Sequence, residues 1–209
     1  MLKLAPEGYP FIIFFSVLTI ISFFLSSGIW IALLPFILTL FMLYFFRDPE
    51  RIIPEGENIF VSPADGKVIL IKNVYEEQYL KSNAIMVSIF MSPLNVHVNR
   101  SPCDGIVESV IHTKGKFLSA FKHEASLQNE NIIMLLNTRY GKVLVRQVAG
   151  FVARRAVCRV KIGDALKKGE RYGIIKFSSR LDVYLPKDVN IKVKLGDKVK
   201  AGETIIAII

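Results

Sequence analysis

Three short segments hold the side chains best suited to acid–base or nucleophilic chemistry. A histidine moves protons near neutral pH, a carboxylate can orient it, and a hydroxyl can act as a nucleophile. Each segment also has a plain structural explanation, because strand histidines are commonly satisfied core residues and Asp-Gly and Ser-Ser pairs commonly form turns. The residues are His97 in MSPLNVHVNRSPCDG (91–105), Asp65 in SPADGKV (62–68), and Ser178 and Ser179 in IIKFSSRLDVYLP (174–186).

The remaining histidines and the cysteines do not indicate a metal centre. His112 and His123 lie in more polar, loop-like segments, and no pair of His or Cys residues has the spacing of metal ligands. Cys103 and Cys158 do not amount to a disulfide framework. We therefore predict no metal site, and the cysteine content favours a reducing, cytosolic environment.

The composition divides the chain into two different parts. The chain has 209 residues, of which 52% are hydrophobic, and its formal net charge is +9. Lys3 and Glu7 are the only charged residues before position 47, so the whole net charge lies in residues 47–209. The abundance of apolar residues excludes a disordered or fibrous chain. A nucleic-acid binder is not indicated either, because the sequence has no basic stripe interleaved with aromatic residues.

Two uncharged apolar runs, residues 10–26 and 29–46, fill most of the N-terminal part. Each run is just long enough to cross a bilayer as a helix, and together they predict a transmembrane hairpin. Arg47 and Arg51 place the ends of this hairpin in the cytoplasm. A cleaved signal peptide is disfavoured, because its apolar core is shorter and follows a basic start. One tilted or re-entrant helix broken at Gly28 remains an alternative.

After residue 46 the sequence consists of short β-rich runs separated by turn residues, with a single helical candidate at 118–126. VKIGDALKKGE at 160–170 is repeated as VKLGDKVKAGE at 193–203. This repeat predicts related half-barrels, and it resembles the strand–turn units of lipoyl- and biotinyl-type barrel-sandwich domains without their modified lysine. We predict an all-β domain over 47–209, similar to a barrel-sandwich hybrid with one or two short helices, after a membrane anchor over 1–46.

Six motifs occur together in an order and at a spacing that resemble those of one enzyme family. Residues 45–209 look like a phosphatidylserine decarboxylase of the short bacterial and archaeal type, and the N-terminal apolar segment matches as well. The motifs are FFRDPER, SPADGKV, NVHVNRSP, NENIIMLLNT, QVAGFVARR and KFSSRLDVYLP.

The resemblance implies a proenzyme that cuts itself and makes its own cofactor. In the family, a serine hydroxyl attacks the preceding carbonyl to give an ester, and elimination and hydrolysis then leave a pyruvoyl group at a new N-terminus. The matching serine is Ser179, so the cut lies after Ser178 and divides the chain into a β chain, 1–178, and an α chain, 179–209. By the same match, His97 takes the proton of Ser179 and Asp65 holds the imidazole.

The resemblance also implies the course of the decarboxylation. The pyruvoyl carbonyl condenses with the amino group of the serine headgroup and accepts the electrons released as CO₂ leaves, and His97 then protonates the α carbon. The lipid carries either ester-linked chains, as in phosphatidylserine, or ether-linked chains, as in archaetidylserine. Members of the family are often homodimers, and the positive charge suits an anionic membrane surface.

Several side chains are candidates for substrate contact, although ordinary surface or core positions explain them equally well. Phe117, Leu118 and Phe121 are candidates for contact with the lipid chains. Arg100 is also the residue at which some larger members have a second histidine, so His97 serves both maturation and turnover. The candidates for binding the phosphate or carboxylate are Arg100, Arg154, Arg155 and Arg180.

The sequence departs from the family pattern immediately before the reactive serine. The family has glycine there, and this chain has Ser178. Serine carries a Cβ and tolerates a positive φ poorly, so slow or blocked self-cleavage is expected. The alternative function is that of a non-catalytic, membrane-tethered barrel-sandwich adaptor. Such adaptors usually carry long helical hairpins, which this sequence lacks, and do not require the Asp65, His97 and Ser179 set.

Overall fold

The computed structural model describes residues 3–25, 29–113, 115, 129–150, 156–177 and 179–209. The predicted helix at 118–126 lies outside these ranges, and so do the candidate lipid-contact residues Phe117, Leu118 and Phe121. Ser178, Arg154 and Arg155 lie outside them as well. The chain divides into two compact units, Met1–Glu50 and Arg51–Ile209.

The first unit is helical. A 3-10 turn, Pro6–Gly8, leads into α1, Tyr9–Leu25, and α2 spans Ile29–Phe45. The segments flanking the two helices are joined, because the Ala5 amide donates to the Phe46 carbonyl at 2.8 Å. The helices also contact each other along their length.

The apolar side chains of this unit are largely exposed, including Phe24 and Trp30, each 79% exposed. Such a surface suits lipid rather than water. Pro6–Leu25, with 20 residues, is the one helix in the described residues that is long and apolar enough to cross a bilayer, whereas Ile29–Phe45 is shorter. The structure thus has an apolar N-terminal helix, and its insertion as a hairpin stays a prediction.

The regular elements that the structure describes in the second unit are strands, so the prediction of a mainly β domain is confirmed, and its likeness to a barrel-sandwich hybrid stays a prediction. In chain order the strands β1 to β14 are Ile59–Val61, Gly66–Glu76, Ser82–Met91, Val98–Arg100, Gly105–Thr113, Asn131–Thr138, Gly141–Ala149, Ala156–Cys158, Ala165–Leu166, Arg171–Ile175, Ser179–Pro186, Asn190–Ile191, Lys198–Val199 and Ile205–Ile208.

These strands form one large curled sheet and two small ones, and the strand pairs are antiparallel. The large sheet has the order β13-β2-β3-β11-β7-β6-β5-β9, and the small sheets have the orders β1-β14-β12 and β4-β10-β8. Strand β11 therefore lies inside the large sheet and pairs with β3 on one edge and β7 on the other.

Alternation along β11 explains how the core is built. Leu181, Val183 and Leu185 are fully buried in the main core on one face of the sheet. Arg180 and Asp182, which alternate with these residues, point to the opposite face, as the two-residue period of a strand requires. The charged pair is buried as well, so both faces of the sheet are covered at this strand.

The internal repeat corresponds to two segments with matching contacts. In each copy a Gly-Asp turn bonds to the start of a long strand, and the aspartate side chain accepts an amide at the beginning of the turn. The paired contacts are Gly163 N–H to Val107 O and Gly196 N–H to Val68 O, both 2.8 Å, and Lys161 N–H to Asp164 Oδ2 and Lys194 N–H to Asp197 Oδ2, both 2.8 Å.

Close packing at the first residue of β2 gives a test of this arrangement. A Cβ on Gly66 would overlap the backbone carbonyl oxygen of Phe90, whereas a Cβ on Gly141 meets nothing within 4 Å. Gly66→Ala is expected to lower the free energy of unfolding by roughly 3 kcal/mol, because backbone cannot move aside as a flexible side chain can. Gly141→Ala, at a φ of +104°, is expected to lose about 1 kcal/mol through backbone strain alone.

The two losses are measured by denaturant unfolding of the full chain in detergent micelles. Equal losses for Gly66→Ala and Gly141→Ala would contradict the close approach of β2 to β3 at Phe90.

Candidate active site

Ser179 is the first residue of β11 and is fully buried. Its backbone lies opposite Met91, at the end of β3, and Ala149, at the end of β7. The Ser179 hydroxyl donates to the sulfur of Met91, with Oγ and Sδ 3.4 Å apart. A thioether is a weak acceptor, so this hydroxyl is shielded from water but only weakly held.

His97 is also fully buried and immediately precedes β4. Its carbonyl accepts the amide of Ile175 at 3.3 Å, which places it beside the end of β10. The Nδ1 atom lies 3.0 Å from the carbonyl oxygen of Asn95. Because a carbonyl only accepts, Nδ1 carries the proton in this contact, and Nε2 is the basic nitrogen of the neutral ring.

A tight turn holds the carbonyl that orients the imidazole. The amide and hydroxyl of Ser92 both donate to Oδ1 of Asn95, at 2.9 and 2.8 Å, and the Asn95 amide donates back to the Ser92 carbonyl at 2.9 Å. Sequence reasoning missed Ser92 and Asn95, although a Ser-Pro-x-Asn run is a turn signal that could have indicated them.

Asp65 is buried, and its described partners are Arg51 and a backbone amide. Its carboxylate accepts two hydrogen bonds from Nη2 of Arg51, at 2.8 and 3.0 Å, and one from the Ala201 amide at 2.7 Å. Arg51 also lies 3.6 Å from Glu203. The described contacts of Asp65 therefore fix an arginine and a turn, and its predicted contact with the His97 imidazole stays a prediction.

The turn contact of Asp65 has a counterpart in the other copy of the repeat. SPCDGIV at 101–107 corresponds to SPADGKV at 62–68, and Oδ1 of Asp104 accepts the Lys168 amide at 2.7 Å, as Asp65 accepts that of Ala201. Asp104 is exposed, whereas Asp65 is buried against Arg51. The amide contact is therefore a common feature of the two turns, and the ion pair with Arg51 distinguishes the turn at Asp65 from the turn at Asp104.

The predicted substrate-binding arginines are not solvated where the structure describes them. Arg100 is buried and donates to the Gly169 carbonyl at 2.8 Å. Arg180 is buried and pairs with both oxygens of Asp182, at 2.7 and 3.0 Å. The solvated-surface interpretation is therefore wrong for these two residues.

A buried polar pair that sequence reasoning missed lies next to Ser179. Nδ2 of Asn99 is 3.8 Å from the same Met91 sulfur, and Oδ1 of Asn99 accepts from Nε2 of Gln147 at 2.8 Å. Asn99 and Gln147 are 0% and 1% exposed. Asn99 lies in the motif NVHVNRSP and Gln147 in the motif QVAGFVARR, but no sequence signal distinguishes these two amides from the neighbouring residues.

Cys103, which directly follows the motif NVHVNRSP, is poorly suited to act as a nucleophile. Burial, followed by the charge of Asp104, raises the pKa of Cys103 to about 12. The thiol therefore stays protonated at neutral pH and is a weak nucleophile. Among the described residues no group of three or more His, Cys, Asp or Glu side chains could hold a metal ion.

The two equivalent aspartates give a matched pair of variants. Asp65→Asn keeps an oxygen for the Ala201 amide but removes the charge that balances buried Arg51, so we expect a loss of about 3 kcal/mol in the free energy of unfolding. Asp104→Asn keeps the same turn contact on an exposed side chain and is expected to lose less than about 0.5 kcal/mol.

Denaturant unfolding of the two full-length variants in detergent micelles checks this expectation. A loss at Asp104 as large as that at Asp65 would show that the turn contact, rather than the Arg51 ion pair, is the important one.

The sequence belongs with a well-defined set of proteins. Residues 38–207 match the profile of the family described as phosphatidylserine decarboxylase. The phosphatidylserine decarboxylase proenzyme of Syntrophus aciditrophicus is 49% identical over 202 residues, which cover 96% of this chain and 95% of that protein. Proteins of the same name from Geotalea uraniireducens and Cupriavidus metallidurans are 48% and 42% identical, cover 99% and 98% of this chain, and are themselves covered over 96% and 94% of their lengths. The chain therefore belongs to the phosphatidylserine decarboxylase family.

Proposed function

We propose that this chain is a membrane-bound proenzyme that cuts itself between Ser178 and Ser179 and then decarboxylates phosphatidylserine. The observation that carries the proposal is the environment of Ser179, a fully buried hydroxyl whose described hydrogen-bond partner is a thioether sulfur. Buried hydroxyls normally find strong acceptors. When a base removes the proton of such a hydroxyl, only a weak hydrogen bond is lost, and this suits a nucleophile.

His97 is the proposed base. The Asn95 carbonyl holds its protonated Nδ1, so Nε2 is the nitrogen that can accept a proton. Histidine is the side chain best suited to exchange a proton near neutral pH, which fits this transfer. The Asn95 carbonyl thus supplies the orientation that a carboxylate supplies in other nucleophile–base sets.

Asp65 enters the proposal as a positioning residue. Its ion pair with Arg51 and its bond to the Ala201 amide fix the second copy of the repeat, residues 193–203, against the turn at Asp65. In this assignment Asp65 supports the site through the fold, and its charge stays balanced by Arg51 rather than by an imidazolium.

The backbone just before the proposed cut is strained. Phe177 has a φ of +57°, a conformation that bulky residues rarely adopt. Such a residue costs of order 1–3 kcal/mol and persists only where the surroundings enforce it. Strain in the precursor that is released on cleavage favours the forward reaction, so it supports a cut in this segment.

The pyruvoyl group formed from Ser179 would supply the electron sink for decarboxylation. The residues around Ser179 fit a small neutral group of this kind, because the Met91 sulfur and the core side chains of β11 surround the position and exclude water. After loss of CO₂, His97 is the proposed donor of the proton to the product. Phosphatidylserine is preferred to its ether-linked analogue, because the similar proteins are named for that lipid.

The central position of β11 explains how the two chains would stay together after the cut. The strand is hydrogen bonded along both edges, to β3 and β7, which belong to the proposed β chain. A buried contact adds to this pairing, because Nη1 of Arg146 donates to the Tyr184 hydroxyl at 3.1 Å. The α chain therefore needs no covalent link to keep residue 179 in place.

The apolar N-terminal helix is proposed to hold the enzyme at the membrane, with the basic second unit on the cytoplasmic side. The net charge of +9, all of it beyond residue 46, supports this orientation through attraction to anionic lipid.

Two variants test the self-cleavage directly. Ser179→Ala removes the nucleophile, so the purified protein is expected to remain one chain and to release no CO₂ from phosphatidylserine vesicles. Ser178→Gly restores the residue that the family has at this place and is expected to cleave faster than the natural chain, because glycine adopts strained conformations freely. Intact-mass spectrometry over time gives the fraction of cleaved chains.

Cleavage that persists in Ser179→Ala would move the nucleophile elsewhere, and Ser178 would be the first position to examine. A Ser178→Gly protein that cleaves no faster than the natural chain would show that Ser178 does not hinder the reaction.

A further inference from the structure

A buried pair of amides, Asn99 and Gln147, lies on the core side of Ser179. Nδ2 of Asn99 and Oγ of Ser179 approach the same atom, the Met91 sulfur, at 3.8 and 3.4 Å. The two polar groups are therefore neighbours separated by one weak acceptor. Neither the self-cleavage nor the decarboxylation described above assigns a task to this pair.

Gln147 sets the orientation of the Asn99 amide. Its Nε2 donates to Oδ1 of Asn99 at 2.8 Å and to the Val157 carbonyl at 3.5 Å. With Oδ1 committed in this way, the N–H end of Asn99 faces the Met91 sulfur. The amide of Gln147 has room because residue 173 is glycine, where an added Cβ would come within 3.1 Å of Nε2.

The arrangement has a cost that points to a role. Within the described residues, Oε1 of Gln147 is buried without a hydrogen-bond partner. Leaving a buried acceptor unsatisfied is unfavourable, and a fold without further demands would avoid it. The Gln147 amide is oriented so that Nε2 donates to Asn99, and in this orientation Oε1 accepts no hydrogen bond from the described residues.

His97 belongs to the same side of the chain as Asn99. The two residues are two positions apart in a segment that pairs with β10, since His97 bonds to Ile175 and Asn99 lies opposite Gly173. Side chains two apart in an extended segment point the same way. The proposed base and the Asn99 amide thus lie on the same side of one extended segment.

We propose that Asn99 is a catalytic residue of self-cleavage, whose Nδ2–H donates a hydrogen bond to Oγ of Ser179, and that Gln147 positions it. This inference rests on the proposed function, because it concerns the same cut between Ser178 and Ser179.

Oγ changes its bonding at two stages of the reaction. In the first, His97 takes the hydroxyl proton and Oγ bonds to the carbonyl carbon of residue 178, while the peptide C–N bond breaks and the nitrogen takes up a proton; the negative charge of this stage develops on the carbonyl oxygen. In the second, the α proton of residue 179 is removed and the Cβ–Oγ bond breaks, so that Oγ leaves as part of the carboxylate of residue 178 and gains negative charge. A donor that turns from the Met91 sulfur to Oγ stabilises the charge of this second stage.

Asn99→Asp tests the donor with little change of shape. The aspartate keeps an acceptor for Gln147 but presents an oxygen in place of Nδ2–H. We expect the elimination stage, and with it completed self-cleavage, to slow on the order of 100-fold, the size of the loss when one donor to a developing negative charge is removed. Asn137→Asp, on the exposed end of β6, is the matched control and should cleave at the natural rate.

A second pair of variants separates positioning from packing. Gln147→Met keeps the volume and removes the amide that orients Asn99, with an expected loss of about 10-fold. Because Gln147 acts through Asn99, the double variant should cleave no more slowly than Asn99→Asp alone. Multiplied losses would instead show that the two residues act independently and would overturn the positioning role of Gln147.

All variants are made in the full chain, in both the natural and the Ser178→Gly sequence. Intact mass gives the cleaved fraction, hydroxylamine treatment of denatured samples reveals any accumulated ester, and thermal unfolding confirms the fold. Natural-rate cleavage by folded Asn99→Asp would overturn this inference and leave the proposed function standing. Failure of both parent sequences to cleave would contradict the proposed function and this inference with it.

Discussion

The pairing of β11 on both edges is the constraint on which the rest of the site depends. It fixes Ser179, the first residue of the strand, at the ends of β3 and β7 and buries it completely. A chain end held in this way keeps its place whether or not the preceding peptide bond is intact. The strained φ of Phe177 lies just outside this pairing. The fold therefore separates a paired strand, which holds Ser179, from the strained residue Phe177 that precedes it.

The duplicated turns show how a specific site arises within a repeated framework. Asp65 and Asp104 accept equivalent backbone amides, so each holds one copy of the repeat, 193–203 and 160–170 respectively. Only the first carries a buried ion pair, because Arg51 reaches Asp65, whereas Asp104 is exposed. The framework comes from contacts that the copies share, and the function comes from residues in which they differ. Asp65 thus lies in one of the family's motifs, and its described contacts are with Arg51 and a backbone amide.

The sequence was sufficient to predict the all-β fold, the internal repeat and the family, because strand periodicity, Gly-Asp turns and six ordered motifs are local patterns. It was not sufficient to predict which side chains meet. The bond from Gln147 to Asn99 joins residues 48 positions apart, and that between Ala201 and Asp65 joins residues 136 apart. Such contacts depend on strand register and on sheet order, which no local pattern encodes. The Asn95 carbonyl that orients His97 was missed for another reason, since it belongs to the backbone and any residue type could supply it.

The central claim is that the electron sink of this enzyme is made from residue 179. Reduction with cyanoborohydride in the presence of phosphatidylserine vesicles tests it most directly, because the reagent fixes the substrate amine to the carbonyl with which it has condensed. Mass spectrometry of the separated chains should then show the amine-bearing lipid, before or after loss of CO₂, attached to the first residue of the 179–209 fragment. Decarboxylation that proceeds while the label falls on another residue, or on no residue, would contradict the account.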